Sequence, residues 1–188
     1  MNIKQFAFKY RGYTPLPLLI PAIIFAQPTG FSFLIGGVLM LTGEFIRFWG
    51  VAYAGGETRT RKVGASRLVS SGPFAWVRNP LYLGNIFMYV GAAVIANFWM
   101  PWLPLIAVVY FGVQYSLIIQ LEEEKLRSLF GEEYEAYCRR VPRLLPLLSP
   151  APSPSEVSPN LPKALRAEKS TFIAFAAVLI LLLIRMMI

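Results

Sequence analysis

Residues 31–54, 101–120 and 171–188 are apolar over enough length to cross a bilayer, which takes about 20 residues. Two further runs, 15–28 and 81–97, are apolar but of marginal length. No water reaches backbone groups in the bilayer core, so only helices and closed barrels satisfy them there. Unbroken apolar runs of this length are helices. The chain is therefore predicted to be all-α: an integral membrane helical bundle of about five transmembrane helices. Composition agrees, because 56% of the 188 residues are hydrophobic and 15% charged. That is more apolar surface than one soluble domain of this size can hide. Pro15, Pro17 and Pro21 interrupt the first run, which a helix in lipid tolerates only where neighbours satisfy the freed carbonyls. No small-residue cleavage pattern follows it, so no cleavable signal is expected.

The net charge of +8 raises nucleic acid as a partner. The basic residues instead fall in short connections between apolar runs, and no nucleic-acid partner is expected. Lys4, Lys9 and Arg11 precede the first run; Arg59, Arg61, Lys62, Arg67 and Arg78 lie in 55–80; Lys125, Arg127, Arg139, Arg140, Arg143, Lys163, Arg166 and Lys169 lie in 121–169. The connections near 28–30 and 97–100 carry no lysine or arginine. If every run crosses, all three basic segments fall on one side, which should be cytoplasmic. That alternation requires the short first run to cross or to pair as a hairpin with the second. The chain has no histidine and one cysteine, Cys138, which excludes an intramolecular disulfide and a Cys/His zinc site. No metal is expected.

Residues 121–141 differ in kind. Leu126, Leu129, Phe130, Tyr134, Tyr137 and Val141 recur at helical spacing with Glu and Arg between them, an amphipathic cytoplasmic helix that Gly131 interrupts. Residues 149–169 are rich in Pro and Ser and are expected to be an extended linker. The expected organisation is thus a membrane core over 1–148 with a loop at 57–84 and the amphipathic helix, then the linker, then a C-terminal transmembrane helix at 170–188. No internal repeat is evident, and spans so poor in polar residues disfavour a transporter.

Three groups of residues carry candidate chemistry. Gly72-Pro73 marks a turn before the third run, and Pro80 suits the first turn of a helix, where its missing N–H costs nothing. A helix N-terminus there offers free N–H groups to a carboxylate. Tyr82 and Gly84 follow within the next turn, and a glycine lets a flat ligand approach the backbone. Glu122, Glu123 and Glu124 follow an apolar span directly. A carboxylate there can take both hydroxyls of a ribose, or it can be a solvated face with Glu123 and Arg127 as an i,i+4 pair. The first reading suits Glu122 and the second Glu123 and Glu124. Glu44 and Arg47 share one face of the second run, either as a structural clasp or as a polar acceptor site.

The ordered set Leu68-Val69, Ser71-Gly72, Phe74, Arg78-x-Pro80-x-Tyr82-x-Gly84, Glu122-Glu123, Leu126, Phe130-Gly131, Tyr134, Tyr137 and Val141-Pro142-Arg143 with Pro146 resembles the isoprenylcysteine carboxyl methyltransferase and phospholipid methyltransferase family. The resemblance runs over residues 57–146. It implies an integral membrane enzyme that moves a methyl group from S-adenosyl-L-methionine to a membrane lipid or lipidated small-molecule acceptor. It also implies a cytosol-facing cofactor pocket lined by Ser66, Arg67, Leu68, Val69, Phe74, Asn79, Pro80, Leu81, Tyr82, Gly84 and Glu122. Many family members carry histidine where this chain has Asn79, which still donates and accepts hydrogen bonds.

Carboxylate-methylating relatives carry arginine four residues before the pocket glutamate, where this chain has Ile118. Without that guanidinium, an aminophospholipid such as phosphatidylethanolamine is the first expectation for the acceptor. An isoprenylcysteine-like carboxylate is the alternative, and a non-catalytic membrane protein keeping the fold is an alternative of another class. An amine must lose a proton before it attacks, and Glu122, Glu123 or Glu44 are the candidate acceptors of that proton. Arg143 and Arg47 are the candidate substrate-binding residues.

Overall fold

The computed structural model describes residues 2–55, 67–153 and 157–188. Among them the chain is helical, without a strand: α1 Ile3–Tyr10, α2 Leu16–Ile24, α3 Gly30–Ala54, a 3-10 turn at Gly72–Ala75, α4 Pro80–Ala96, α5 Trp102–Arg140 and α6 Leu161–Met187. Helices α3, α5 and α6 are long and apolar enough to cross a membrane, and α4 is a shorter apolar helix. Thr29 starts α3 by a reciprocal cap. Its hydroxyl accepts from the Ser32 N–H at 3.1 Å while the Ser32 hydroxyl accepts from the Thr29 N–H at 2.9 Å.

The first apolar run does not cross alone. Helix α2 has 9 residues, about 14 Å at 1.5 Å per residue, against a hydrocarbon core of roughly 30 Å. Helix α1 supplies the missing length alongside α5. Lys4 reaches Glu124 at 2.6 Å. Halfway along, Tyr110 Oη donates to the Thr14 carbonyl at 3.0 Å and Gln114 Nε2 to the Thr14 hydroxyl at 2.6 Å. At the far end the Gln27 N–H donates to the Ala96 carbonyl at 2.8 Å. Laid end to end, α1 and α2 run along the bundle from the Glu124 end of α5 to the turn after Ala96.

Helices α3 and α4 pack through glycines repeated every seven residues. A Cβ added at Gly36 would stand 2.5 Å from the Gly91 carbonyl oxygen, and one at Gly43 would stand 2.5 Å from that of Gly84. The reverse pairs are as close, at 2.6 Å each. Lipid gives helices no hydrophobic reason to associate, so close van der Waals approach of small residues does that work.

Helix α5, 39 residues in all, is two helical stretches that meet at a kink, and the first joins the expected fourth span to the start of the amphipathic segment. Gly131, at φ +50°, breaks its geometry where the sequence suggested a break. Helix α6 starts at Leu161, so residues 161–169 are helical rather than linker. The Asn160 side chain accepts from the Lys163 N–H at 2.9 Å, and Pro162 occupies the first turn, where it begins a helix instead of extending a linker. Residues 147 and 151 also hydrogen-bond back to the loop: the Leu147 and Ala151 N–H groups donate to the Trp76 and Ala75 carbonyls, each at 2.9 Å. Helix α6 is pinned at both ends, by the Asn160 N–H on the Ala52 carbonyl at 2.8 Å and by Arg185 on the Ala26 carbonyl at 3.1 Å.

Gly91→Leu should lower stability by at least ~2 kcal/mol, because the Gly36 carbonyl and the Met40 backbone and stem fill the space it needs. Gly37, with nothing within 4 Å of an added Cβ, should accept alanine within about 0.5 kcal/mol. Thermal unfolding in detergent, followed by circular dichroism, compares the two.

Candidate active site

The loop before α4 is held by the far end of α5 and the chain beyond it. Gly72 adopts φ +60°, and a Cβ there would also strike the Tyr53 ring at 2.6 Å, so glycine is required twice over. The Tyr137 hydroxyl donates to the Phe74 carbonyl at 2.8 Å, and the Arg78 N–H to the Pro142 carbonyl at 2.9 Å. Arg78 Nη1 donates to the Cys138 carbonyl at 3.1 Å.

These ties converge on Glu123. Its side chain is 2% exposed, and its oxygens meet Arg78 Nη2 at 3.1 Å, Arg143 Nη2 at 2.6 Å and, more distantly, Arg127 Nη2 at 3.8 Å. Arg143 Nε adds a second hydrogen bond at 3.2 Å, making that pair bidentate. The Glu123 carboxylate holds the Arg143 guanidinium above its ordinary pKa by accepting these bonds. The solvated-face reading of Glu123 therefore gives way to a buried ion cluster joining α5, the loop and the segment after α5.

Asn79 belongs to the same construction. Its Nδ2 donates to the Arg143 carbonyl at 3.1 Å, so its side chain does not cap α4. Pro80 has no N–H, and those of Leu81 and Tyr82 have no intrahelical carbonyl to reach. This first turn borders a cavity of about 450 Å³. Phe74, Asn79, Pro80, Leu81 and Tyr82 form one side, and Tyr115 and Glu122 of α5 another. Arg47 of α3, Asn85 and Tyr89 of α4, Arg11 and Gly12 beyond α1, Arg78 and Thr171 of α6 complete the lining. The Tyr82 hydroxyl donates to Glu122 Oε1 at 2.7 Å, across the gap between α4 and α5. Ring contacts continue the wall: Tyr82 with Tyr115 at 4.8 Å between centroids, and Tyr89 stacked on Phe111 at 4.1 Å. Successive helix residues point about 100° apart, which is why Glu122 faces this cavity and Glu123 the arginines.

Of the residues named from the sequence, Phe74, Asn79, Pro80, Leu81, Tyr82, Glu122 and Arg47 come together on the cavity. Arg67 is exposed and Val69 half-buried, while Leu68 packs on Tyr134, Tyr137 and Val141. Neither these three nor Gly84 lines the cavity. Gly84 sits against α3 instead, where a Cβ would meet the Gly43 carbonyl and Arg47 Cγ, each at 2.6 Å. Glu44 is buried on α3, and Arg143 is committed to Glu123. Ser66 lies outside the described residues, as do Arg59, Arg61 and Lys62. Sequence reading missed Arg11, Gly12, Asn85, Tyr89, Tyr115 and Thr171 on the cavity. Arg11 and Gly12 had only their place in a basic segment as a signal, and the others look like ordinary span residues. No group of three or more His, Cys, Asp or Glu that would hold a metal occurs among the described residues.

The profile of the family described as Phospholipid methyltransferase matches residues 31–133, more than half of the chain. The chain belongs to that family. The match takes in α3, the loop, α4 and α5 as far as the kink, and so all of the cavity except its Arg11, Gly12 and Thr171 edges. A protein-S-isoprenylcysteine O-methyltransferase of Rattus norvegicus is 32% identical over 120 residues, covering 60% of this chain and 40% of the relative. A probable protein-S-isoprenylcysteine O-methyltransferase of Oryza sativa subsp. indica is 30% identical over 146 residues, 73% of this chain and 74% of the relative. A methanethiol S-methyltransferase of Crocosphaera subtropica is 34% identical over 79 residues, 40% of this chain and 28% of the relative. The chain thus spans about 40% of the length of the rat relative and three quarters of the rice one.

Glu123→Gln should cost about 3 kcal/mol of stability, because it leaves buried guanidinium charge unpaired. Glu124→Gln removes a partner of Lys4 that is 56% exposed and should cost no more than about 1 kcal/mol. Denaturant unfolding in detergent separates the two.

Proposed function

We propose that this chain is an S-adenosylmethionine-dependent methyltransferase that esterifies the carboxylate of an isoprenylcysteine-like acceptor in the bilayer. The observation that carries the reading is that Arg11 and Arg47 line the same cavity as the hydrogen-bonded Tyr82–Glu122 pair. The expectation of an aminophospholipid acceptor rested on Ile118, read as a site position lacking its cation. Ile118 is fully buried in the bundle core and does not line the cavity. The guanidinium groups on the cavity come from α3 and from beyond α1 instead, so that expectation loses its basis. The relatives named as isoprenylcysteine O-methyltransferases support the carboxylate.

The cavity suits the cofactor by size and chemistry. Its volume lies in the roughly 300–1,000 Å³ range of small-molecule sites. Glu122, oriented by Tyr82, is the residue we assign to accept hydrogen bonds from the ribose hydroxyls. The uncapped first turn of α4 suits the carboxylate of an amino acid. When bound, the cofactor supplies an electrophilic methyl group on a positively charged sulfur. The acceptor's carboxylate oxygen forms the new C–O bond as the C–S bond breaks, leaving a methyl ester and a neutral thioether. A carboxylate brings no proton to remove, so Glu122, Glu123 and Glu44 need not act as bases. Arg11 and Arg47 hold the anion in line for attack. Opposite charges cancel as the bond forms, so a site that excludes water favours the step. The asymmetry of basic residues supports the cytoplasmic side for this end of the bundle.

Tyr82→Phe and Glu122→Gln should each weaken S-adenosylmethionine binding, since a hydrogen bond to a charged group is worth about 1.5–3 kcal/mol. Calorimetry in detergent reads this, and unchanged affinity in both variants contradicts the cofactor assignment. Wild-type protein should methylate an S-farnesylated cysteine faster than phosphatidylethanolamine. The reverse order restores the amine acceptor, and absent cofactor binding makes the chain a non-catalytic relative.

A further inference from the structure

Helix α6 lies beyond the residues that the family profile matches, yet it reaches the cavity. Thr171 lines it, and one turn earlier Glu168 is fully buried. A carboxylate buried inside a membrane bundle is costly unless it is engaged. Glu168 is engaged with Arg47: Arg47 Nη2 donates to both of its oxygens, at 3.0 and 2.9 Å. On the other side Arg47 Nη1 donates to Asn85 Oδ1 at 2.6 Å. The Arg47 stem crosses α4 at Gly84, where a Cβ would stand 2.6 Å from Cγ. A guanidinium is planar, so fixing two of its nitrogens also fixes the direction of the third. That third group, Nε–H, is buried with no hydrogen-bond partner among the described residues. An orphaned buried donor on a cation in a cavity wall points to an acceptor atom supplied by a ligand.

We propose that α6 is part of the site, with Glu168 as a positioning residue that fixes Arg47 so that its Nε–H meets an anionic oxygen of the acceptor. This inference rests on the carboxylate reading above. It makes the last helix a contributor to acceptor selection, with Asn85 holding the opposite edge of the same guanidinium.

The test uses the full chain in phospholipid nanodiscs with S-adenosylhomocysteine. Calorimetry measures binding of an S-farnesylated cysteine and of its methyl ester, which lacks the anion. Wild-type protein should bind the acid about tenfold more tightly than the ester, the worth of one charge-assisted hydrogen bond. Glu168→Gln should bring that ratio close to one, with ester affinity and S-adenosylmethionine affinity within about twofold of wild type. Glu168→Asp keeps the guanidinium paired and carries the same comparison should the glutamine variant fail to fold; its ratio should fall part of the way. An unchanged ratio in these variants overturns the proposal. So does an equal loss of acid and ester, which is the mark of a merely structural helix. A wild type that methylates the acid but binds acid and ester alike overturns this inference and leaves the carboxylate reading standing. A wild type that does not methylate the acid overturns both.

Discussion

The buried carboxylate of Glu123 ties together the parts of the molecule that form the site. It stands just past the apolar half of α5, where a charge is expensive unless paired, and its arginine partners come from separate segments. Arg78 belongs to the loop that leads into α4, and Arg143 to the chain after α5. Holding both fixes where α4 begins. That start sets the exposed first-turn N–H groups and places Tyr82 within 2.7 Å of Glu122. Neighbouring glutamates on one helix thereby serve different ends. The helical rotation between them turns one toward the arginines and the other toward the cavity.

A second constraint works from inside the bundle. The glycine seam lets the α3 and α4 backbones approach closely enough for Arg47 to pass over Gly84 and reach Asn85. A larger residue in that seam would push α3 outward and carry Arg47 away from the cavity. Helix α6 then meets the same guanidinium through Glu168. Packing without hydrophobic drive and a polar site inside lipid are thus solved by one arrangement, in which small residues admit the stem and the Glu168 carboxylate and Asn85 amide oxygen take the charged head.

Much of this was legible in the sequence because bilayer physics leaves few choices. Apolar runs of spanning length gave α3, α5 and α6. They did not reveal that α1 continues the line of α2 alongside α5, because α1 is short, polar and separated from α2 by a turn. Asn160 and Pro162 are a helix start, but in a stretch rich in Pro and Ser they read as linker. At the site, residues close in sequence to the Arg78–Tyr82 segment were found, along with Glu122. Arg11, Tyr115 and Thr171 were not, since nothing local distinguishes them from interfacial or core residues. Gly84 and Ile118 mark the harder limit. Both lie at positions where the sequence suggested ligand contact, and both face other helices, which no one-dimensional pattern reveals.

The most direct measurement is the chemical fate of a transferred methyl group. Purified protein in nanodiscs is incubated with methyl-tritiated S-adenosylmethionine, an S-farnesylated cysteine and phosphatidylethanolamine together, and the lipid-soluble product is then treated with base. Methyl esters hydrolyse to volatile methanol, whereas N-methyl groups survive. Label that becomes volatile, and that is lost when the acid is omitted, is the expected result. Label that stays non-volatile after base, or no label at all, contradicts carboxylate methylation by this chain.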